Sequence, residues 1–464
     1  MQSFAPRHLI LLPVLAIGAW LAFLPPEGMP PGAAPAGALV VLCIGLWATG
    51  AIAEHLVAML LFFLAMVFAI APPATVFSGF ASGAFWLVFG GLIIGAAVDV
   101  TGLGKRLARA ITARISGGYG AVIAGIVTVS VVLIFLMPST LSRIVLLMPI
   151  ILALADRLGY ADGSKGRQGM VLAMILSSYL CSVGVLPSNV PNNVLVGAAE
   201  TSHGVVIRYF DYLLLHFPVL GAVKAVMIAL LLTWMFGEAA EPKADEVEET
   251  GPTWAGMTLS EKKMALYLAI ALVLWATDAV HGISPAWISL GIGIVCLLPG
   301  AGLVSPDVYR QKISFNPLIY IAGILAVGAL VAQSGLGTWV GAELIAAEGL
   351  EPGNPAEAFA VIAGLGTFLG MISTMPAVPA VLAPLASELS AASGFPLFQV
   401  MNLIVVGFST VIMPYQVPPF VIGMQLGNVP LASGARACLA LALLSFLVIL
   451  PLDFIWWWML GMFG

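Results

Sequence analysis

Long apolar runs, broken by short polar punctuation, dominate the chain. A bilayer core about 30 Å thick needs about 20 apolar residues per helix. On that ruler spans are predicted near 8–25, 36–53, 56–73, 82–101, 169–199, 211–237, 264–281, 285–300, 315–334, 396–427 and 437–462, about eleven crossings. The apolar run Leu9–Leu24 behind Arg7 and His8 is read as the first span rather than a signal peptide. Two further stretches, 119–155 and 355–391, are interrupted near their centres by Pro, Ser and Thr, which predicts re-entrant hairpins. Lys105–Ile115 carries basic residues on an amphipathic pattern and is predicted to lie along the membrane surface.

Composition narrows the class. Hydrophobic residues make up 61% and charged residues 8% of the 464, against about 45–50% and about 25% in soluble domains. This excludes a soluble enzyme, a secreted disulfide scaffold and a nucleic-acid binder. Cys43, Cys181, Cys296 and Cys438 stand far apart inside apolar runs and read as small buried hydrophobes. With a cytoplasmic N-terminus, eleven crossings and two hairpins place fourteen of the 17 Lys and Arg inside. The positive-inside rule expects that asymmetry, and implies a multi-pass protein of the cell inner (plasma) membrane. The acidic stretch around 238–263 reads as a cytoplasmic linker between two halves.

Those halves repeat. Shifted by 233 residues, Gly90, Leu92, Gly95, Ala96, Val98, Gly102, Leu103 and Gly104 fall on Gly323, Leu325, Gly328, Ala329, Val331, Gly335, Leu336 and Gly337, eight identities within fifteen positions. Ser139-Thr140 answers Ser373-Thr374, and Pro187…Pro191 answers Pro414…Pro418. In the predicted topology the copies run in opposite directions, the mark of many secondary transporters. The expected units are 1–118 and 264–350 as scaffold, the former ending in the surface helix, with 119–237 and 351–464 as transport units.

Function is then sought where helices break, because freed carbonyls suit cations and half-helix N-termini suit anions. The first hairpin turns at Ser139, Thr140, Ser142 and Arg143; the second at Ser373 and Thr374. Asn189, Asn192 and Asn193 interrupt the fifth span, and Tyr415 and Gln416 its counterpart. An unsatisfied amide in hydrocarbon costs several kcal/mol, so packing alone explains these residues poorly. Arg143 either snorkels to the surface or faces an anion or an interior carboxylate. Lys224 and Asp99 are read as lying near a solvated boundary. No zinc, nucleophile-elbow or paired-Asp motif points to an enzyme.

Several motifs carry a family resemblance: Phe85-Trp-Leu-Val-Phe-Gly-Gly91, Thr101-Gly-Leu-Gly-Lys-Arg106, Leu147-Met-Pro-Ile150, Val190-Pro-Asn-Asn193, Phe210-Asp-Tyr212, Leu259-Ser-Glu-Lys-Lys263, Ala383-Pro-Leu385 and Pro414-Tyr-Gln-Val-Pro-Pro419. Over nearly its whole length the chain resembles the divalent-anion/sodium symporter family, the sodium-coupled dicarboxylate, citrate and sulfate transporters of the ion-transporter superfamily. The resemblance implies an all-α polytopic membrane protein with inverted repeats, a homodimeric scaffold and a transport unit that moves like an elevator. It implies cation sites at Ser139, Thr140 and Asn189, and at Ser373, Thr374 and Gln416, with Na+ as coupling ion and no other cofactor or metal. A small anion is expected between the tips, near Ser139, Thr140, Asn192, Asn193, Ser373, Thr374 and Pro418, with Arg143 supplying positive charge. The chain departs from the family's Ser-Asn-Thr tips, which read Ser139-Thr-Leu141 and Ser373-Thr-Met375. A cation/proton antiporter or metalloid-oxyanion exporter of the same superfamily is the alternative.

Overall fold

The computed structural model of the chain describes residues 7–49, 52–112, 117–239, 256–300, 302–340 and 353–463. The described residues form helices and connecting turns, with no strand among them. The first half contains α1 (Arg7–Phe23), α2 (Ala33–Thr49), α3 (Glu54–Val67), α4 (Gly83–Thr101) and α5 (Leu103–Thr112). After them come α6 (Tyr119–Leu136), α7 (Thr140–Arg157), α8 (Lys165–Leu180), α9 (Val190–His203) and α10 (Tyr209–Phe236). The second half contains α11 (Leu259–Ala276), α12 (Pro285–Leu297), α13 (Asn316–Gln333) and α14 (Pro355–Ile372). It ends with α15 (Ala377–Ser393), α16 (Leu397–Phe408), α17 (Pro418–Leu426) and α18 (Leu431–Met459). Among the described residues, α4, α6, α10, α13, α14 and α18 are each long and apolar enough to cross a membrane. The pair α15–α16, bent by 116°, makes a seventh if it counts as one span.

Local chemistry sets the boundaries. The Ser82 hydroxyl caps α4 by accepting from the Phe85 amide, and Gly102 ends it with a φ of 78° that side chains rarely adopt. Ser139 caps α7 in the same way, and Asn189 caps α9. α11 starts at Leu259, inside the stretch expected to be linker. Thr258 and Glu261 form a reciprocal capping box there, and Glu261 takes a two-pronged ion pair from Arg106 on α5. The helix therefore begins before the apolar run does. The linker's acidic core, 240–255, and Arg114 and Ile115 of the amphipathic stretch lie outside the described residues.

The first arms of both predicted hairpins, α6 and α14, are longer than two short helices in one apolar run suggest. Each has 18 residues, about 27 Å at 1.5 Å per residue. Either is long enough alone to cross.

Contacts repeat between the halves. α12 packs on α4 as α3 packs on α13; α6 packs on α8 as α14 packs on α16; and α9 lies against α15 as α17 lies against α7. Two matched glycines make the first pair possible. A Cβ on Gly90 would stand 2.4 Å from the Ser289 backbone, and one on Gly323 would stand 2.9 Å from the Ala58 backbone. Both positions need a residue without a side chain, which is why Gly recurs there.

Candidate functional site

The first break separates α8 from α9. Pro187 and Pro191 interrupt the hydrogen-bond ladder, leaving 3-10 turns over Cys181–Gly184 and Leu186–Ser188. The freed carbonyls find partners. The Asn192 side-chain amide donates to Ser182 O (3.2 Å), Val183 O (3.0 Å) and Val185 O (2.9 Å). Tyr212 adds a bond to Val183 O at 2.8 Å. Asn189 accepts from the Asn192 amide at 2.9 Å and donates to the Ser182 hydroxyl at 3.2 Å. The end of α6 closes on this break: the Ser188 hydroxyl donates to Ile134 O at 2.9 Å.

Arg143 joins tip and break. It is fully buried, so it does not snorkel. Its guanidinium donates to Ser178 O (2.6 Å), Ser188 O (3.1 Å), the Thr140 hydroxyl (3.1 Å) and Met137 O. No carboxylate is among these partners.

The second break, between α16 and α17, is organised by Gln416. Its side-chain oxygen accepts from the Ile412 (2.7 Å) and Met413 (2.6 Å) amides, and its nitrogen donates to Gly370 O at 2.6 Å. The Met375 amide donates to Gln416 O at 3.0 Å, and the Tyr415 hydroxyl to Met371 O. Tip and break are thereby stitched as in the first half. Ser373 turns its hydroxyl back to Leu369 O at 2.8 Å. Lys224 corrects the reading of a solvated boundary: it is buried and donates to Ser409 O (2.8 Å) and the Ser409 hydroxyl (3.3 Å). Asp99 is partly exposed and pairs with Lys312.

Several polar atoms remain without partners. Thr374 Oγ1, Tyr320 OH, Tyr179 OH, Ser178 Oγ, Asn192 Oδ1 and Asn193 Oδ1 are buried and make no hydrogen bond among the described residues. Tyr320 comes up against Thr374, with Tyr179 as a further neighbour, but no well-formed bond closes between them. α9, which carries Asn193, packs on both α13 and α15. Buried orphans are rare in native proteins, and four of these are hydroxyls able to donate. Donor hydroxyls in a buried setting, with Asn193 in the first turn of α9, suit a small anion.

The candidate residues thus divide. Asn192, Asn189, Gln416, Ser139 and Ser373 serve the backbone around the breaks. Thr374, Asn193 and the side-chain oxygen of Asn192 keep free polar atoms, and Pro418 opens α17 on an exposed edge. Tyr320 and Tyr179 went unmarked in the sequence. A phenol in an otherwise apolar span, such as Tyr320 in Asn316–Gln333, was the available signal.

Comparison with known proteins agrees with this architecture. The family profile described as "Sodium:sulfate symporter transmembrane region" matches residues 5–463. An L-tartrate/succinate antiporter of Escherichia coli (strain K12) is 24% identical over 403 residues, covering 82% of this chain and 79% of that protein. The sodium-dependent dicarboxylate transporter SdcS of Staphylococcus saprophyticus is 24% identical over 486 residues, covering 95% and 89%. A membrane protein of Cupriavidus necator is 23% identical over 292 residues, covering 61% of this chain and 56% of that protein. Among solved structures, the YdaH transporter of Alcanivorax borkumensis superposes with a TM-score of 0.57 over 99% of both chains, at 16% identity, a likeness of fold. The chain belongs to the sodium:sulfate symporter family, and is a membrane transporter rather than an enzyme.

Proposed function

We propose that the protein is a secondary active carrier for a small dicarboxylate or sulfate-class anion, working by alternating access in the cell inner membrane with its N-terminus in the cytoplasm. The observation that carries this reading is the set of unpartnered buried hydroxyls at Thr374, Tyr320 and Tyr179. They are the kind of groups an anion's oxygens would complete. The exchange of matched contacts between the halves supports inverted repeats. In this reading 119–237 and 351–464 move together as an elevator against 1–118 and 264–350, in a homodimer. The relatives favour a dicarboxylate, since both named ones carry or exchange such anions by their names. One is named sodium-dependent and the other an antiporter, so both modes have precedent.

The test is uptake of radiolabelled succinate into proteoliposomes holding the purified full chain. The carrier reading expects saturable uptake, competed by L-tartrate or malate and measured both with an inward sodium gradient and with succinate preloaded. Absence of saturable uptake of succinate, tartrate, citrate and sulfate under both conditions refutes it.

A further inference from the structure

Around Arg143 the structure builds an oxygen cage. Met137 O comes from the end of the first hairpin arm, Thr140 Oγ1 from its tip, Ser178 O from the last turn of α8 and Ser188 O from the break. Carbonyls of an unwound helix and a half-helix C-terminus, joined by a tip hydroxyl, are what a transporter offers a sodium ion. At this break those oxygens already receive hydrogen bonds from a fully buried guanidinium. The charge is fixed covalently, and among the described residues no carboxylate pairs with it.

The second break carries a related feature. Lys224, also buried, directs its ammonium to the carbonyl and hydroxyl of Ser409, where α16 ends. Ser409 is the counterpart of Ser182 at the first break, by the 227-residue offset that relates Pro187 to Pro414. The buried Asp453 carboxylate is an electrostatic neighbour of Lys224 and makes no hydrogen bond of its own. Gln416, which the family resemblance placed in the second cation site, has both ends of its amide bonded to backbone.

We propose that Arg143 is a resident cation in the first clamshell, filling the oxygen cage that a coupling sodium needs, with Lys224 serving the second break, so that this carrier exchanges anions without sodium. The inference rests on the proposed anion-carrier function and specifies its coupling. A sodium ion leaves with its substrate; a covalent cation does not. A transport unit returning empty would carry uncompensated charge through a low-dielectric path. Each return leg therefore takes an anion, and net uptake gives way to exchange.

Two measurements on the full chain test this. In proteoliposomes preloaded with succinate, labelled succinate should enter equally fast with sodium or choline outside, and uptake into empty vesicles should be lost. A rise of about tenfold or more on adding sodium, equivalent to about 1.4 kcal/mol, overturns the inference. If succinate moves under no condition, the dicarboxylate reading falls, and the cage is judged separately by melting. The melting temperature of the purified protein should not respond to sodium against choline, whereas Arg143→Ser, with the cage vacated, should gain a saturable sodium-dependent rise. A saturable rise in the unaltered protein, or a folded Arg143→Ser variant indifferent to sodium, overturns the assignment. The unaltered protein decides the matter should the variant not fold.

Discussion

Replacing Thr374 with Val should move stability and binding in opposite directions. The Thr374 side chain is 7% exposed and its hydroxyl has no hydrogen-bond partner. Val keeps the shape and removes the oxygen. Leaving a buried polar group unsatisfied costs about 1–3 kcal/mol, so the empty protein should be stabilised by up to that amount. A hydrogen bond to a charged ligand contributes about 1.5–3 kcal/mol, so losing it should weaken anion binding about 10- to 150-fold at 1.4 kcal/mol per tenfold. The assay is thermal melting in detergent, first without ligand and then across a succinate titration. Thr367→Val is the control. Its hydroxyl donates to Ala363 O and Gly407 O, both at 3.0 Å, so the substitution should lower the melting temperature and leave affinity alone. If Thr374→Val behaves like Thr367→Val, the hydroxyl is structural and the site has been misplaced.

The two matched glycines give a second pair of outcomes. Gly323→Ala places a methyl 2.3 Å from the Ala58 side chain, and Gly90→Ala one 2.4 Å from the Ser289 backbone. Each should destabilise by about 1–3 kcal/mol or more through overpacking, seen as a lowered melting temperature for both variants. Asn192→Leu unties three carbonyls of the first break and should cost about 3 kcal/mol or more, lowering the ligand-free melting temperature. Arg106 holds the Glu261 carboxyl below its usual range, chiefly by hydrogen bonding. That stabilisation is fully present above the unfolded value of about 4.3 and is lost as pH falls through the lower folded value. Arg106→Ala should therefore cost about 1–3 kcal/mol near neutrality and flatten the loss of melting temperature on acidification.

Much of the fold was legible because the bilayer imposes a length on apolar runs, and because Pro within them marks the breaks. Thr101–Arg106, Pro187…Pro191 and Pro414…Pro418 fall where helices end or restart. Partner choice was not legible. Nothing in the spacing of Arg143 says that it bonds carbonyls from three segments, two of them 35 and 45 residues away. Lys224 looked close to a boundary because its own helix is apolar on both sides; Ser409, 185 residues later, keeps it inside. Helix α11 outran its apolar run because a cap and an ion pair, not hydrophobicity, start it. Tyr320 was hidden by its neighbours: one phenol in an apolar span reads as packing until Thr374 is found beside it.

Whether both tips enclose one anion can be measured by substrate protection of single cysteines at Ser139 and Ser373. The native Cys43, Cys181, Cys296 and Cys438 are buried and give little background. With a small methanethiosulfonate reagent, saturating succinate should slow modification at both positions in parallel, with the same half-maximal concentration. Protection at one tip alone, or at neither, contradicts a shared site between them.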